Sequence, residues 1–475
     1  MAANIEALVK PLVDCEPAVL ASPWHVFDAI VEQDPPIVYS NSLEAWIVAG
    51  RKYVKEILAD SRTWSNRSVG SSQKANEHFF KLMRELRQEP EMAPLVEEFT
   101  SVRRNGTVLI LTDPPTHLRQ RRAFSDLFRP KRIKNMTTEI QAISDDLVAK
   151  MRPLGRADWV DDYAIQMPIT ILARNFAVPE ADGPKFKRWS DVLGSRIGRI
   201  HLTKEDIREL ILREKEFREY FTPLLEERGR NPQDDLISDI ATAAVDGESL
   251  SDAEKLEACQ QFVIAGHETT TSNIANIGRR IASDPELHER LAADRSLIPG
   301  FVEEVLRLDP PVLGFFRVAT RDTEVAGVKI AKGEYVWVAY AGGNRDPAGC
   351  PMSHEFDLTR HPNQHWGLGH EADHVRARRQ LLHQLIVAFK SPHARTLRDH
   401  VRPRPGRDVR RKHQPVIVGY TGRGQGFILL ELAPQRLAVY PVGHWTTIRT
   451  HSRQLQQARE LRQEILHGHV VGHFR

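Results

Sequence analysis

Ser251-Asp252-Ala253-Glu254 opens the segment that most constrains this chain. A serine with a glutamate three residues on is a capping box, in which each side chain bonds the other residue's backbone N–H. The apolar periodicity behind it predicts one helix to about Ala282. The middle of that helix is weak. Gly266 costs about 1 kcal/mol there relative to alanine, and Thr269, Thr270 and Thr271 are poor helix formers too. Weakness in mid-helix points to a local opening that receives a ligand. Glu268 and Thr269 put a carboxylate and a hydroxyl side by side, a pair able to relay protons. The plainer reading is a solvated Glu beside a Thr bonded to its own backbone.

Helical patterns dominate from Arg51 to Leu308, with a strongly amphipathic stretch from Arg208 to Arg228. Pro310-Pro311 ends the last of these helices. Extended segments are fewer. Ile37-Val38-Tyr39 and Ala45-Trp46-Ile47-Val48 predict a hairpin, and Thr323–Ala326 and Tyr335–Tyr340 predict strands. Residues 344–362 have the turn chemistry of an ordered loop, and 452–466 look helical. The expected fold class is mainly α with a small β portion, as one domain over 1–422. An atypical C-terminal tail follows over 423–475, after the flexible Gly422-Arg423-Gly424-Gln425-Gly426.

Composition removes several alternatives. Cys15, Cys259 and Cys350 are too few and too scattered for a disulfide framework or a CxxC metal site, which fits a reducing cytoplasm. No stretch reaches about 18 continuous apolar residues, so no membrane span is expected. Residues 366–475 carry 19 Lys+Arg against 7 Asp+Glu. That excess lacks the amphipathic repeat or aromatic interleaving of a nucleic-acid arm, so it reads as a basic surface. A further reading is that GC-rich coding DNA is translated out of frame near Gly369 to Arg379, and again after about Gly422.

Two side-chain pairs carry chemistry. Glu304 and Arg307 lie three apart on a helix and can pair on one face. His117 and Arg121 lie four apart and can clamp a carboxylate. Singly, each is more often an ordinary surface pair.

Their order along the chain adds to this. Ala265-Gly266-His267-Glu268-Thr269-Thr270, Glu304-Val305-Leu306-Arg307 and Asn344-Arg345-Asp346-Pro347 follow one another at spacings that resemble a soluble, bacterial-type cytochrome P450. The resemblance covers residues 20–365. It implies a cytochrome P450-like single domain that binds haem b. Such a domain inserts one atom of O2 into a small hydrophobic substrate, using electrons from a ferredoxin-type donor. In that family Glu268 and Thr269 would deliver protons to bound dioxygen, and Ala265 and Gly266 would lie against the cofactor. His117, Arg121, Arg317 and His365 would bind the haem propionates. Arg360 would complete a structural triad with Glu304 and Arg307. Residues 65–105 would form part of the pocket wall, with Phe315 and Phe316 as roof candidates.

One position breaks the resemblance. The family's thiolate ligand belongs in the stretch His365 to Arg378, which contains no cysteine. Aligned from the C-terminal side, Arg376 takes the cysteine's place; aligned from His365, Val375 does. Arginine is always protonated and cannot ligate iron. No metal ligand is therefore assigned, although His370 or His374 could bind iron as neutral imidazole. The alternative function is a catalytically dead relative that retains only small-molecule or partner binding.

Overall fold

The computed structural model describes residues 5–105, 109–128, 130–154 and 157–367, together with three strands between 416 and 441. Val375, Arg376, His370, His374 and the expected helix over 452–466 lie outside the described residues.

The helix opened by the capping box runs from Asp252 to Ser283, one residue past the expected end. Ser251 Oγ accepts from Glu254 N while the Glu254 carboxylate accepts from Ser251 N, as the sequence pattern requires. This helix is the spine of the molecule. Helices Gln166–Asn175, Gly183–Leu193, Lys204–Arg230 and Ile298–Leu308 all pack on it. The amphipathic stretch expected over 208–228 is the centre of Lys204–Arg230, whose start is fixed by its own capping box, Thr203 with Asp206. Between it and its neighbours lies an aromatic cluster of Phe176, Phe186, Trp189, Phe217 and Phe221, all at 1% exposure or less. Large rings in edge-to-face and stacked contact bury much apolar area, which makes this one of the strongest hydrophobic contributions to the fold.

The strands are β1 (Ile37–Ser40), β2 (Ala45–Val48), β3 (Trp64–Ser65), β4 (Ala244–Val245), β5 (Glu248–Ser249), β6 (Phe315–Ala319), β7 (Thr323–Val325), β8 (Val328–Ile330) and β9 (Tyr335–Val338). β1 and β2 form the expected hairpin, in the register Tyr39↔Trp46. β2 then pairs in parallel with β9, Trp46 opposite Val336, and the sheet order is β1-β2-β9-β6-β3. Valine, isoleucine and tryptophan suit these half-buried pleats. β9 stops at Val338 rather than Tyr340, because the chain turns there into the short helix Tyr340–Arg345. The polar stretch 65–105 is mostly two helices, Gln73–Leu86 and Ala93–Asn105, with Phe79, Leu82, Met83 and Leu86 buried. Its polarity is the solvent face of amphipathic helices.

Among the described residues no helix is long and apolar enough to cross a membrane. Further on, β10 (Val416–Thr421), β11 (Gln425–Ala433) and β12 (Arg436–Pro441) form a three-stranded antiparallel sheet. β10 and β11 pair across the 422/423 division expected from sequence.

Candidate functional site

Arg307 is fully buried, and each of its five N–H donors meets an acceptor. Nε and Nη2 bond the two oxygens of Glu304 at 2.8 and 2.7 Å. Nη1 bonds the carbonyls of Asn344 and Ser353, and Nη2 also bonds that of Glu355. Arg360 Nε reaches Glu304 Oε1 at 3.3 Å, and its other donors bond Pro351 O and Met352 O. Glu304 also accepts from the Asp357 amide and from Asn363 Nδ2. Burial would raise the Glu304 pKa, but Arg307, the Asp357 amide and Arg360 outweigh it and hold the carboxyl below its ordinary value. The Glu304–Arg307–Arg360 triad therefore ties the loop over 344–363 to the helix Ile298–Leu308. It is structural.

The weak centre of the long helix is where its two faces diverge. Ala265 is exposed in the middle of an otherwise core-spanning helix. Gly266, about 100° further round the helix, faces a neighbouring helix: a Cβ there would lie 3.2 Å from Leu172 Cδ2. The glycine thus admits close approach of helix Gln166–Asn175. Thr269 donates its hydroxyl proton to Ala265 O at 2.8 Å. In this rotamer the hydroxyl can accept a hydrogen bond from a ligand but has no proton to give.

Glu268 is not a freely solvated carboxylate. Ser190 Oγ donates to its Oε1 at 3.1 Å, and the adjacent His267 Nδ1 lies 3.1 Å from the same oxygen. Burial pushes the Glu268 pKa up, yet His267, Lys187 and Ser190 together pull it below the ordinary carboxylate value. An ionised carboxylate only accepts, so His267 Nδ1 carries the proton and donates. Asp191 lies beside this pair and bonds Lys187 Nζ at 2.7 Å. Asp191, His267 and Glu268 have metal-ligand chemistry, but the Lys187 ammonium already neutralises Asp191. Sequence reasoning missed Lys187, Ser190 and Asp191. Their i, i+4 pairing on Gly183–Leu193 is legible, but nothing local connects that helix to Glu268.

Of the four expected anion-binding residues, Arg121 and Arg317 both bear electrostatically on a third, His117. His117 sits on helix Thr116–Ala123, half-buried, with Nδ1 3.2 Å from Leu109 O. Burial lowers its pKa, the Leu109 carbonyl opposes this, and both Arg121 and Arg317 depress it further. Arg317, from β6, donates Nη1 to the Phe316 carbonyl at 2.8 Å and opposes the upward push of burial on the Tyr340 hydroxyl pKa. Asp113 attracts His117's proton, but its oxygens already accept from Ser65 Oγ and Asn66 N. Two guanidinium groups therefore bear on one partly desolvated imidazole. The fourth residue, His365, is engaged differently. Its Nε2 lies 3.0 Å from Glu303 Oε2, and its Nδ1 accepts from Gly367 N. A shallow crevice lined by Leu109, Phe124, Ala258, Gln261 and Phe262 runs beside the long helix, two turns before Ala265. Glu254 anchors its floor, bonding Arg119 and Gln120.

The cytochrome P450 family profile matches residues 72–375. Mycinamicin IV hydroxylase/epoxidase of Micromonospora griseorubida is 32% identical over 334 residues, covering 70% of this chain and 77% of the relative. A steroid C26-monooxygenase of Mycobacterium tuberculosis is 30% identical over 262 residues, 55% of this chain and 70% of that one. Among solved structures, P450BioI bound to an acyl carrier protein ligated to hexadec-9Z-enoic acid matches with TM-score 0.66 and 26% identity, covering 78% of this chain and 91% of its own. CYP109Q5 of Chondromyces apiculatus matches at 0.66 and 25%, covering 90% and 95%. The chain belongs to the cytochrome P450 family, whose members are haem-dependent monooxygenases. The family profile ends at Val375, inside the stretch where the ligand cysteine is expected.

The family's cofactor is haem b, and this chain fits it only in part. The guanidinium groups of Arg121 and Arg317 have the charge to suit two carboxylates, and Ala265 is exposed on the long helix. The iron side does not fit. Cys259 is buried inside the aromatic core cluster, where desolvation pushes its thiol pKa far up. Cys350 is buried with its Sγ 3.5 Å from Arg360 Nη1, as part of the structural loop. Cys15 is exposed at the end of the first helix, Ile5–Val13. None stands at the family's ligand position.

Proposed function

We propose that this scaffold serves the oxidation of a small hydrophobic molecule beside Ala265–Thr269, one atom of O2 entering the substrate. Electrons would come from a ferredoxin-type carrier in the cytoplasm. The observation that carries this reading is the ordered Glu268. It is held charged by His267, Lys187 and Ser190, one residue from Thr269, on the helix that exposes Ala265. In this role Glu268 and His267 hold a proton, and Thr269 accepts one hydrogen bond from the ligand. The relatives' names include a mycinamicin IV hydroxylase/epoxidase and a steroid C26-monooxygenase, so macrolides and steroids form the first substrate panel. The test supplies haem, a ferredoxin, its reductase and NADPH, and looks by mass spectrometry for a product one oxygen atom heavier.

The absent cysteine favours a second reading, in which the chain as written has lost this reaction and keeps only ligand binding. Thiolate donation assists O–O cleavage, and neither arginine nor valine supplies it. The discriminating measurement is the carbon monoxide spectrum of the reduced, sequence-verified protein. A red-shifted thiolate Soret band would sink the second reading. Absence of that band, with its gain in Arg376→Cys/Arg378→Gly, would establish it and fix the alignment.

A further inference from the structure

We infer that Asp191, His267 and Glu268 form a divalent-cation site of the zinc class, whose place is taken in this structure by the Lys187 ammonium. The inference is independent of haem binding and goes beyond the oxidation proposed above.

The argument starts from the donor atoms. Asp191 comes from helix Gly183–Leu193, and His267 and Glu268 come from the long helix, so the group bridges two packed helices. One donor atom from each side chain lies within 4.8 Å of the other two. His267 Nδ1 and Glu268 Oε1, 3.1 Å apart, are already at ligand spacing. Zinc bonds of about 2.0–2.2 Å set tetrahedral ligand atoms roughly 3.4 Å apart, so the widest gap has to close by at most about 1.4 Å. Side-chain rotation covers that distance. One imidazole with two carboxylates suits zinc and other first-row divalent ions, whereas magnesium and calcium take oxygen donors. His267 is 1% exposed, and its Nε2 has no hydrogen-bond partner among the described residues, which leaves one ring nitrogen uncommitted.

A cation already stands at this place. Lys187 Nζ bonds both oxygens of Asp191, at 2.8 and 2.7 Å. Burial opposes ionisation of Glu268, and His267, Lys187 and Ser190 together overcome it. The two carboxylates are thus arranged around positive charge that a side chain supplies. The Lys187 side chain is 20% exposed, and its four methylenes can carry the ammonium out to water. A dication brings twice the charge. It also accepts a lone pair from His267, which an ammonium, a donor only, cannot do. Zinc and Lys187 therefore compete for one place. Bound zinc takes up Glu268 and fastens helix Gly183–Leu193 to the long helix.

The experiment strips the full-length chain with EDTA and titrates it with zinc against a chromophoric chelator. The chain has 20 histidines, so this site is read as the difference between wild type and variants. Asp191→Ala should weaken one zinc equivalent by at least about 30-fold. Lys187→Met should tighten that same equivalent by at least about tenfold, because the competing charge is gone. Calcium or magnesium in about 100-fold excess over zinc should not displace it. Circular dichroism verifies that the variants are folded, and Asp191→Ser and Lys187→Gln replace them should either fail to fold. Identical zinc titrations of wild type and Asp191→Ala would overturn the inference. So would unchanged or weaker binding in Lys187→Met, since a merely structural Lys187–Asp191 pair gives no gain in affinity when the lysine is removed. Displacement of the zinc by calcium or magnesium would overturn it as well. None of these readouts uses haem, so their failure and failure of the proposed oxidation are separate results.

Discussion

Arg307 and Arg317 sit ten residues apart in sequence and in opposite electrostatic situations. Arg307 has no exposed surface, and every donor it owns is matched by a protein acceptor. Arg317 bonds its neighbour's carbonyl and bears on a histidine that another arginine also repels. The first region is closed on itself and holds the fold. The second sets two guanidinium groups to bear on one half-buried imidazole. The same residue type thus ties a loop to a helix in one place and shifts a neighbouring histidine in the other. Neighbouring charge, and not burial alone, separates them.

The sharpest way to break this contrast is Arg307→Ala. Removing Arg307 leaves buried Glu304 with Arg360, at 3.3 Å, as its remaining counter-charge and strands three carbonyls, which costs up to about 3–5 kcal/mol. Chemical denaturation should show that loss, or the variant should fail to accumulate as folded protein. Arg307→Lys should rescue little, since a point charge cannot match the fork of Glu304. Gly300→Ala attacks the same loop from the backbone side. A Cβ there would lie 2.2 Å from Leu358 O, so the loop must shift away from helix Ile298–Leu308. We expect a loss of about 1–3 kcal/mol by the same assay.

Arg317→Ala should behave oppositely. Its effect on stability should stay within about 0.5 kcal/mol, because a repelling charge leaves along with its few bonds. Equal destabilisation by Arg317→Ala and Arg307→Ala would erase the distinction.

Acid offers a smaller but cleaner discriminator. His117 has its folded pKa depressed below 6.5, so the unfolded chain binds its proton first. Stability from this site therefore begins to fall as pH drops through about 6.5. Glu304 is depressed below 4.5, so its contribution is present above that value and is lost only as pH falls through the lower folded pKa. Thermal unfolding against pH should show two phases, with His117→Gln removing the upper one alone. Survival of the upper phase in that variant would reassign it.

Much of this was legible before any coordinates. The Asp252–Ser283 helix announces its start by Ser251 and Glu254, because capping is local chemistry. The β1–β2 hairpin is legible for the same reason. The Glu304–Arg307 pair is visible by spacing, but three of the five acceptors of Arg307 are carbonyls 37 to 48 residues away. Glu268 was identified without its partner, since Ser190 arrives from 78 residues upstream. Gly266 reads as an opening for a ligand, whereas its bare Cα receives Leu172. Single-sequence reasoning found residue types and turns; it could not find which helix comes to lie on which.

The parallel pairing of β2 with β9 has a consequence for biosynthesis. Trp46 bonds Glu334 across 288 residues of chain. Ribosomes add about 5–20 residues per second, so the nascent hairpin waits roughly 15–60 s for the strand that completes it. During that interval the Ala45–Val48 edge is available to any other extended chain. This five-stranded sheet depends on the last-made of its own strands to cover the edge of its second, and synthesis stalled before Tyr335 would release a hairpin primed to aggregate.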